Sequence, residues 1–518
     1  MRILFFTFLL SLIALVSSSQ HLNILISNIN DPEEPSIMFD PENPQFMVAG
    51  ANLNNVYYSN DYGYSWLPNI LESDSFGVWG DPVIAVDTAG DFYFLHLSNP
   101  VTGSWIDRIV CQKSTDKGIT WNNGSYMGLN GTKAQDKQWI SIDRSNNNMY
   151  VTWTQFDEYG SADYSDSSSI MFSKSLDAGT TWSPAKRINK LNGDCIDDDF
   201  TVEGAVPAVG PDGQIYVGWV GPEGIMFDRS FDQGETWLES DILVSDFPGG
   251  WTFNVPGIYR CNGLPVTVCD TSNSAYRGNI YINWADQRNG TDDTDIWMAK
   301  SSDGGNTWSA PIRVNDDEPG KHQFFTWTAI DQANGYIYVV FYDRRNYSDT
   351  KTDVYMARST DGGETFTNFV ISDSPFSPNP AVFFGDYTNI FAYNDIVRPI
   401  WTRLSGSSLS VLTAIIDVNA VESAQPETYG FNLDQNYPNP FDDQTFFSFK
   451  LHKRMNVSLK VFDLYGKLIA TIVDNSELDY GKYKFGFNFR DYNLPSGVYY
   501  FSLVSDEKTL IRKMIIQR

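Results

Sequence analysis

Carboxylates and guanidinium groups able to hold or cleave a polar ligand recur along this chain in short, similar contexts. Single acids stand just ahead of apolar, strand-forming runs. They are Asp81 in VWGDP, Asp136 beside Lys137 in QDKQW, Glu203 in TVEGAVP, and Asp386 with Tyr387 in FFGDYTN; His322 stands likewise in KHQFF. Acid–arginine groups follow other runs: Asp286 and Arg288 in ADQRNGTDDTD, and Asp343, Arg344 and Arg345 in YDRRNYSDTKTD, with Asp157 at a similar place earlier. Two chemistries suit such residues. Arg288, Arg344 and Arg345 can clamp a carboxylate with paired N–H donors, and neighbouring carboxylates can act as general acid and base. The same Asp–Arg pattern in neighbouring units equally fits a structural pair that knits adjacent sheets. HExxH, CxxC, Gly-x-Ser-x-Gly and phosphate-loop patterns are missing from the sequence, and 4 histidines leave little for zinc or serine–histidine catalysis.

A repeated octet must position these groups. It occurs at residues 59–66 (SNDYGYSW), 114–121 (STDKGITW), 175–182 (SLDAGTTW), 230–237 (SFDQGETW), 301–308 (SSDGGNTW) and 359–366 (STDGGETF). The third residue, Asp61, Asp116, Asp177, Asp232, Asp303 or Asp361, can accept N–H groups of its own turn. The fifth, glycine, can take the positive φ of a tight hairpin. Ser or Thr at the seventh adds a hydroxyl, and the terminal aromatic starts the next strand by burying a ring. Each octet lies between strand-like runs, so each is a hairpin turn in a small antiparallel sheet. Copies at intervals of roughly 55–70 residues signal a repeat architecture. Such sheets cover one another when arranged radially, as in a β-propeller. The octets resemble the Asp-box, or BNR, repeats of sialidase-like β-propellers. A further unit, residues 386–392, 397–404 and 409–416, supplies three strands without an octet, and residues 21–26 can add its fourth and close the ring. The expectation is an all-β fold with a propeller of seven blades, six being the alternative.

In Asp-box propellers the octets occupy the outer, lower rim, and ligands usually sit near the axis on the opposite face. The resemblance puts the acids and the acid–arginine loops on that upper face. It also implies the sialidase roles: a tyrosine nucleophile activated by a glutamate, an aspartate acid/base and three arginines. Tyr387 with Glu203, then Asp81 or Asp136, then Arg288, Arg344 and Arg260 would fill them. Trp79, Trp139 and Trp251 are candidate stacking platforms for a ligand, with Arg288, Arg344, Arg345 and Asp386 as polar contacts. The sequence departs from true sialidases: the Phe/Tyr-Arg-Ile-Pro stretch is missing, the first blade offers no arginine, and sialidases have six blades. Asp-boxes are scaffold turns found with unrelated functions. Calcium also enters, because Asp292, Asp293 and Asp295, or Asp194 with residues 197–199, present hard oxygen ligands at short spacing. Neither run is an EF-hand, and solvated acidic loops fit them as well.

The formal charge of −28 over 518 residues disfavours nucleic acid and anionic membrane surfaces. It suits neutral glycans, peptides or divalent cations; an anionic substrate would need a local basic pocket. Residues 1–19, with Arg2, an apolar run at 3–16 and Ser17–Ser19, form a signal peptide, and no later run is long enough to span a bilayer. Residues 20–420 are the propeller and residues 421–430 a polar linker. Residues 431–518 carry short alternating strands, read as a small Ig-like β-sandwich. NYPNPF at 436–441, DLYGK at 463–467, LPSGVYY at 494–500 and the basic tail at 513–518 closely resemble the C-terminal sorting domain of type IX secretion cargo in Bacteroidetes-type bacteria. A carbohydrate-binding sandwich is the alternative there, though that segment contains no tryptophan. Cys261 and Cys269 could form a local bridge, whereas Cys111 and Cys195 cannot be paired from sequence; free buried thiols fit as well. The functional expectation is a secreted or surface propeller binding an extracellular glycan or glycoprotein on its acidic upper face. The alternative is a glycoside hydrolase, exo-sialidase-like or acting on neutral glycans.

Overall fold

The computed structural model describes residues 21–198, 200–418 and 431–517, the last without 452–453, 465–466, 480, 493 and 506–508. The signal-peptide and linker expectations lie outside these residues. The chain divides into two units, residues 1–421 and 422–518.

The first unit contains seven four-stranded antiparallel sheets. Six of them run in simple chain order from an innermost to an outermost strand. The seventh joins the two ends of the unit: Leu22–Ser27 pairs with Ser408–Ile415, Leu22 lying opposite Ile415. The innermost strands Gly80–Val86 and Ile215–Gly221's neighbour Glu203–Val209 are buried almost throughout. The second strands carry the largest side chains. Trp153, Trp219, Trp284 and Trp401 stand at corresponding places in four sheets and are fully buried. β-Branched and aromatic residues dominate because each sheet is covered on both faces by its neighbours.

The octets hold these sheets in register. In each, the aspartate accepts the N–H and the hydroxyl of the residue four positions on; for Asp303 these come from Thr307, at 3.0 and 2.7 Å. The leading serine accepts the glycine N–H, as Ser301 does from Gly305 at 2.8 Å. The Thr236 hydroxyl and N–H hold Asp232 down at about 2, and those of Thr307 do the same for Asp303. The glycine has a second task. At Gly234 (φ 82°) an added Cβ would overlap the Phe172 ring of the preceding sheet, and at Gly305 (φ 87°) the Phe227 ring of the preceding sheet. Each turn therefore seats on its predecessor. Across the closing seam, Arg398 of the seventh sheet donates to the Tyr62 carbonyl in the first octet, at 3.2 and 3.0 Å.

All four cysteines are buried free thiols. The local Cys261–Cys269 bridge does not form. Cys261 lies in a short ladder opposite Phe253, whereas Cys269 ends the innermost strand Val266–Cys269 and its sulfur faces the Asp270 carbonyl.

The second unit is a β-sandwich. A three-stranded sheet (Phe431–Leu433, Gln444–Leu451, Gly481–Asn488) and a four-stranded one (Leu468–Leu478, Met455–Phe462, Gly497–Ser505, Thr509–Ile516) share one core. Phe447 stacks on Phe501 across it at 4.4 Å. The NYPNPF stretch pins the final strand: the Phe441 N–H donates to the Ile515 carbonyl at 3.1 Å, and Asn439 Oδ1 accepts the Ile515 N–H at 2.7 Å.

Candidate functional site

Strand alternation puts the octets at one end of each sheet and the starts of the innermost strands at the other, the upper face. Four innermost strands break register there, at Gly80/Val83, Asp136/Trp139, Glu203/Val206 and Phe324/Trp327. Within each break one residue has left-handed φ: Asp81 (52°), Lys137 (51°), Gly204 (71°) and Phe325 (49°). Glu34 (φ 50°) holds the same place, two residues before Ser36, the first residue of the first sheet's innermost strand. Such bulges re-aim side chains. Left-handed backbone costs about 1–2 kcal/mol at a residue with a Cβ, so the surroundings must hold it. Asn52 Oδ1 accepts the Asp81 N–H at 2.7 Å, and Asp136 Oδ1 accepts the Lys137 N–H at 2.9 Å.

The re-aimed groups converge on the axis. Lys137 Nζ lies 2.9 Å from Asp386, 3.6 Å from Asp81 and 3.6 Å from Glu34. Arg260 forks onto Asp386 and reaches Asp197 at 3.0 Å. Tyr159 Oη donates to Asp197 at 2.9 Å, and Asn52 Nδ2 donates to Glu33 at 3.1 Å and Glu34 at 2.5 Å. Glu203 completes the group; no N–H or hydroxyl donor among the described residues reaches either of its oxygens, and its neighbours are Asp197 and Asp136. The carboxyl groups of Glu33, Glu34, Asp81, Asp136, Asp197, Glu203 and Asp386 thus share two cations, Lys137 and Arg260. They are stratified: Glu203 is 0% and Asp136 8% exposed, while Asp197, Arg260 and Tyr159 are half-buried above them.

Burial and shared charge divide the protons unequally. Burial pushes Asp136 up to about 7, with the Asp81 charge adding to it. Burial also lifts Glu33 to about 8 and raises Glu34 and Glu203 well above the ordinary glutamate value, Asp197 contributing at Glu203. At Asp386 burial acts the same way but is outweighed by Lys137 and Arg260, which hold it ionised far below the carboxylate range. The cluster is therefore a mixture of protonated and ionised acids at neutral pH.

Beneath it, Trp139 packs on Trp327 at 4.2 Å, the rings tilted by 45°, and meets Tyr387 at 5.2 Å. These rings separate the cluster from a cavity of about 400 Å³ between the innermost strands.

Asp81, Asp136, Glu203, Asp386 and Tyr387 come together as the sequence suggests, but not in sialidase roles. Tyr387 Oη finds no hydrogen-bond partner among the described residues, so a Tyr387–Glu203 pair is not formed, and burial raises the phenol well above its ordinary value. The arginine clamp does not assemble. Arg288 is forked on Asp286 and stacked on Trp297 at 4.6 Å. Arg345 is bound by Asp343 at 2.8 Å and by Asp316 at 2.5 Å. Arg344 donates to Thr352 and the Pro256 carbonyl, at 3.0 and 2.6 Å. These loops knit the scaffold. Trp79 is 36% exposed, but Trp139 (5%) and Trp251 (0%) are too buried to offer a ring face. The acidic runs considered for calcium are engaged otherwise: Asp293 accepts the Gly320 N–H at 2.7 Å, Asp295 pairs with Asn289 and Asn315 at 2.6 Å, and Asp197 pairs with Arg260. Among the described residues no group of three or more His, Cys, Asp or Glu side chains could hold a metal ion.

The sequence reading missed Glu33, Glu34 and the role of Asp197. Glu33-Glu34-Pro35 stands before an innermost strand exactly where Asp81 stands in the next sheet, so aligning strand starts would have found it. Asp197 lies in an acidic run with no such reference.

Among curated proteins, the chain is 25% identical over 356 residues to the xyloglucanase Xgh74A of Acetivibrio thermocellus, a match covering 64% of this chain and 38% of that protein. The chain thus spans about two-fifths of that relative's length. Among solved structures, a PL25 ulvan lyase aligns with a TM-score of 0.48 and 12% identity over 78% of this chain and 100% of that one. The microbial sialidase Hz136 aligns with a TM-score of 0.41 and 14% identity over 72% of this chain and 74% of that one. Residues 435–517 match the secretion system C-terminal sorting domain. The chain is therefore an all-β protein bearing a type IX sorting domain, secreted or held at the surface of a Bacteroidetes-type bacterium.

Proposed function

We propose that this protein binds an extracellular glycan on the upper face of its propeller, over the axial carboxylate cluster, without cleaving it. The observation that carries this reading is the stratification of the cluster. Arg260 and Tyr159 stand half-buried at the top, where both are fixed on Asp197 Oδ2 and offer polar edges to sugar hydroxyls. The acids whose protonation suits acid–base chemistry, Asp136 and Glu203, lie beneath them, away from a ligand. Fixed polar groups bind with little ordering cost. Both cations are already spent on Asp386, Asp81, Glu34 and Asp197, so an acidic sugar would meet net negative charge. The relative named a xyloglucanase is in keeping with a neutral glycan.

A hydrolase is the second reading, favoured by one feature: Asp136, raised by burial to about 7, keeps a substantial protonated fraction near neutrality, as a general acid needs. The test is one panel of fluorogenic glycosides and neutral polysaccharides offered to the full chain, with Asp136→Asn and Glu203→Gln in parallel. Binding without product release supports the first reading. Release abolished by both substitutions replaces it with the second.

A further inference from the structure

Trp105, which the cluster does not use, lies on the upper face in the loop between the second strand, Phe92–Leu97, and the third, Ile109–Ser114, of its sheet. It is 45% exposed and meets Trp79, itself 36% exposed, at 6.0 Å and 88°. On its other side it meets Tyr159 at 5.7 Å and 87°. Tyr159 then donates to Asp197 at the cluster's edge. The three rings thus make a chain of contacts that ends at the cluster, in steps comparable to one sugar ring.

The path is rigid. Trp105 sits between Ser104, whose N–H donates to Asp107 Oδ2 at 3.1 Å, and the fully buried Ile106, whose N–H donates to the Ser98 carbonyl at 3.0 Å. Asp107 is fixed in turn by the Ser98 hydroxyl at 2.9 Å and Arg108 at 2.7 Å. The Trp79 N–H donates to the Leu97 carbonyl at 3.0 Å. An amphipathic ring on backbone held this firmly needs little ordering to receive a ligand. The charges beside the path set the class of ligand: Asp197 at its inner end, Glu203 and Asp136 beneath, and the nearby cations Arg108 and Arg260 paired with Asp107 and Asp197.

We infer that Trp79, Trp105 and Tyr159 form a subsite path for an uncharged polysaccharide, whose sugar rings stack on the indoles and whose inner end reaches Tyr159 at the edge of the cluster. This rests on the glycan-binding reading above. The test is affinity electrophoresis of the full chain in gels containing galactomannan, xyloglucan, arabinan or polygalacturonate, using wild type, Trp105→Ala, Trp105→Phe, Trp79→Ala and, on the octet rim, Phe231→Ala. Near-UV circular dichroism and thermal melting monitor folding. We expect retardation by at least one neutral polymer and none by polygalacturonate. Trp105→Ala and Trp79→Ala should each weaken it about tenfold, equivalent to about 1.4 kcal/mol per ring. Trp105→Phe should restore part of it, and Phe231→Ala should bind as wild type. Wild-type binding that folded Trp105→Ala retains in full overturns the path alone. Tighter binding of polygalacturonate overturns the ligand class, and retardation by no polymer overturns the glycan-binding reading with it.

Discussion

Replacing Asp136 with asparagine tests the electrostatic account of the axis. Asparagine keeps an acceptor for the Lys137 N–H, which Asp136 Oδ1 receives at 2.9 Å, and can donate towards Asp81. Burial, with Asp81 beside it, lifts Asp136 from 3.8 to about 7. A raised acid contributes its full share of stability below its unfolded value and loses it as pH rises through the folded one. At 1.36 kcal/mol per pK unit, the ionisable group costs about 2 kcal/mol at pH 5 and about 4 kcal/mol at pH 8 relative to a neutral isostere. With an unfolding entropy of about 2.1 cal/mol/K per residue, a unit of this size shifts by roughly 1 °C per kcal/mol. Asp136→Asn should therefore melt about 4 °C above wild type at pH 8 and about 2 °C above it at pH 5, with a shallower fall between them. Differential scanning calorimetry from pH 4 to 8 reads this directly. A variant less stable than wild type at pH 8, or one with an unchanged pH slope, refutes the assignment of a raised, buried acid at the axis.

Other expectations concern the scaffold. Gly234→Ala meets both a left-handed φ of 82° and the Phe172 ring, and should cost more than about 3 kcal/mol in chemical denaturation. Gly320→Ala (φ 96°) has no atom within 4 Å of the new Cβ, and should cost only the backbone strain of about 1–2 kcal/mol. Arg398→Met removes the bonds from the seventh sheet to the first octet. Hydrogen exchange should then rise in the first octet, residues 59–66, and unchanged exchange there would argue against a seam held by Arg398. Trp139→Ala deletes a ring packed between Trp327 and Tyr387 and should cost about 3–5 kcal/mol by cavity formation, read by thermal melting.

Much of the propeller is legible because its devices are local. Asp303, Gly305, Thr307 and Trp308 define a turn by their own chemistry, so six octets disclose six sheets. The seventh sheet is readable from three strands without an octet and a spare strand at residues 21–26. The site is legible only in part. Asp81, Asp136, Glu203 and Asp386 all stand at or just before the start of an innermost strand, and that end of the strand carries them to the axis. The arginine loops mislead because an Asp–Arg pair looks alike whether it faces a ligand or its own sheet. Only the packing of Arg288 on Trp297 and the path from Arg344 to the Pro256 carbonyl distinguish the two. Trp79, Trp139 and Trp251 have similar sequence contexts and very different exposure, which depends on contacts from other sheets. Trp105 lies in a second-to-third-strand loop whose polar residues give no hint of an aromatic path.

The most direct measurement is isothermal titration of the full chain at pH 7 with a neutral oligosaccharide taken from whichever polymer retards it, alongside a sialylated one of equal length. The account expects saturable binding of the neutral chain and no heat from the sialylated one, because Lys137 and Arg260 are already bound to carboxylates. Preferential binding of the sialylated chain would contradict it.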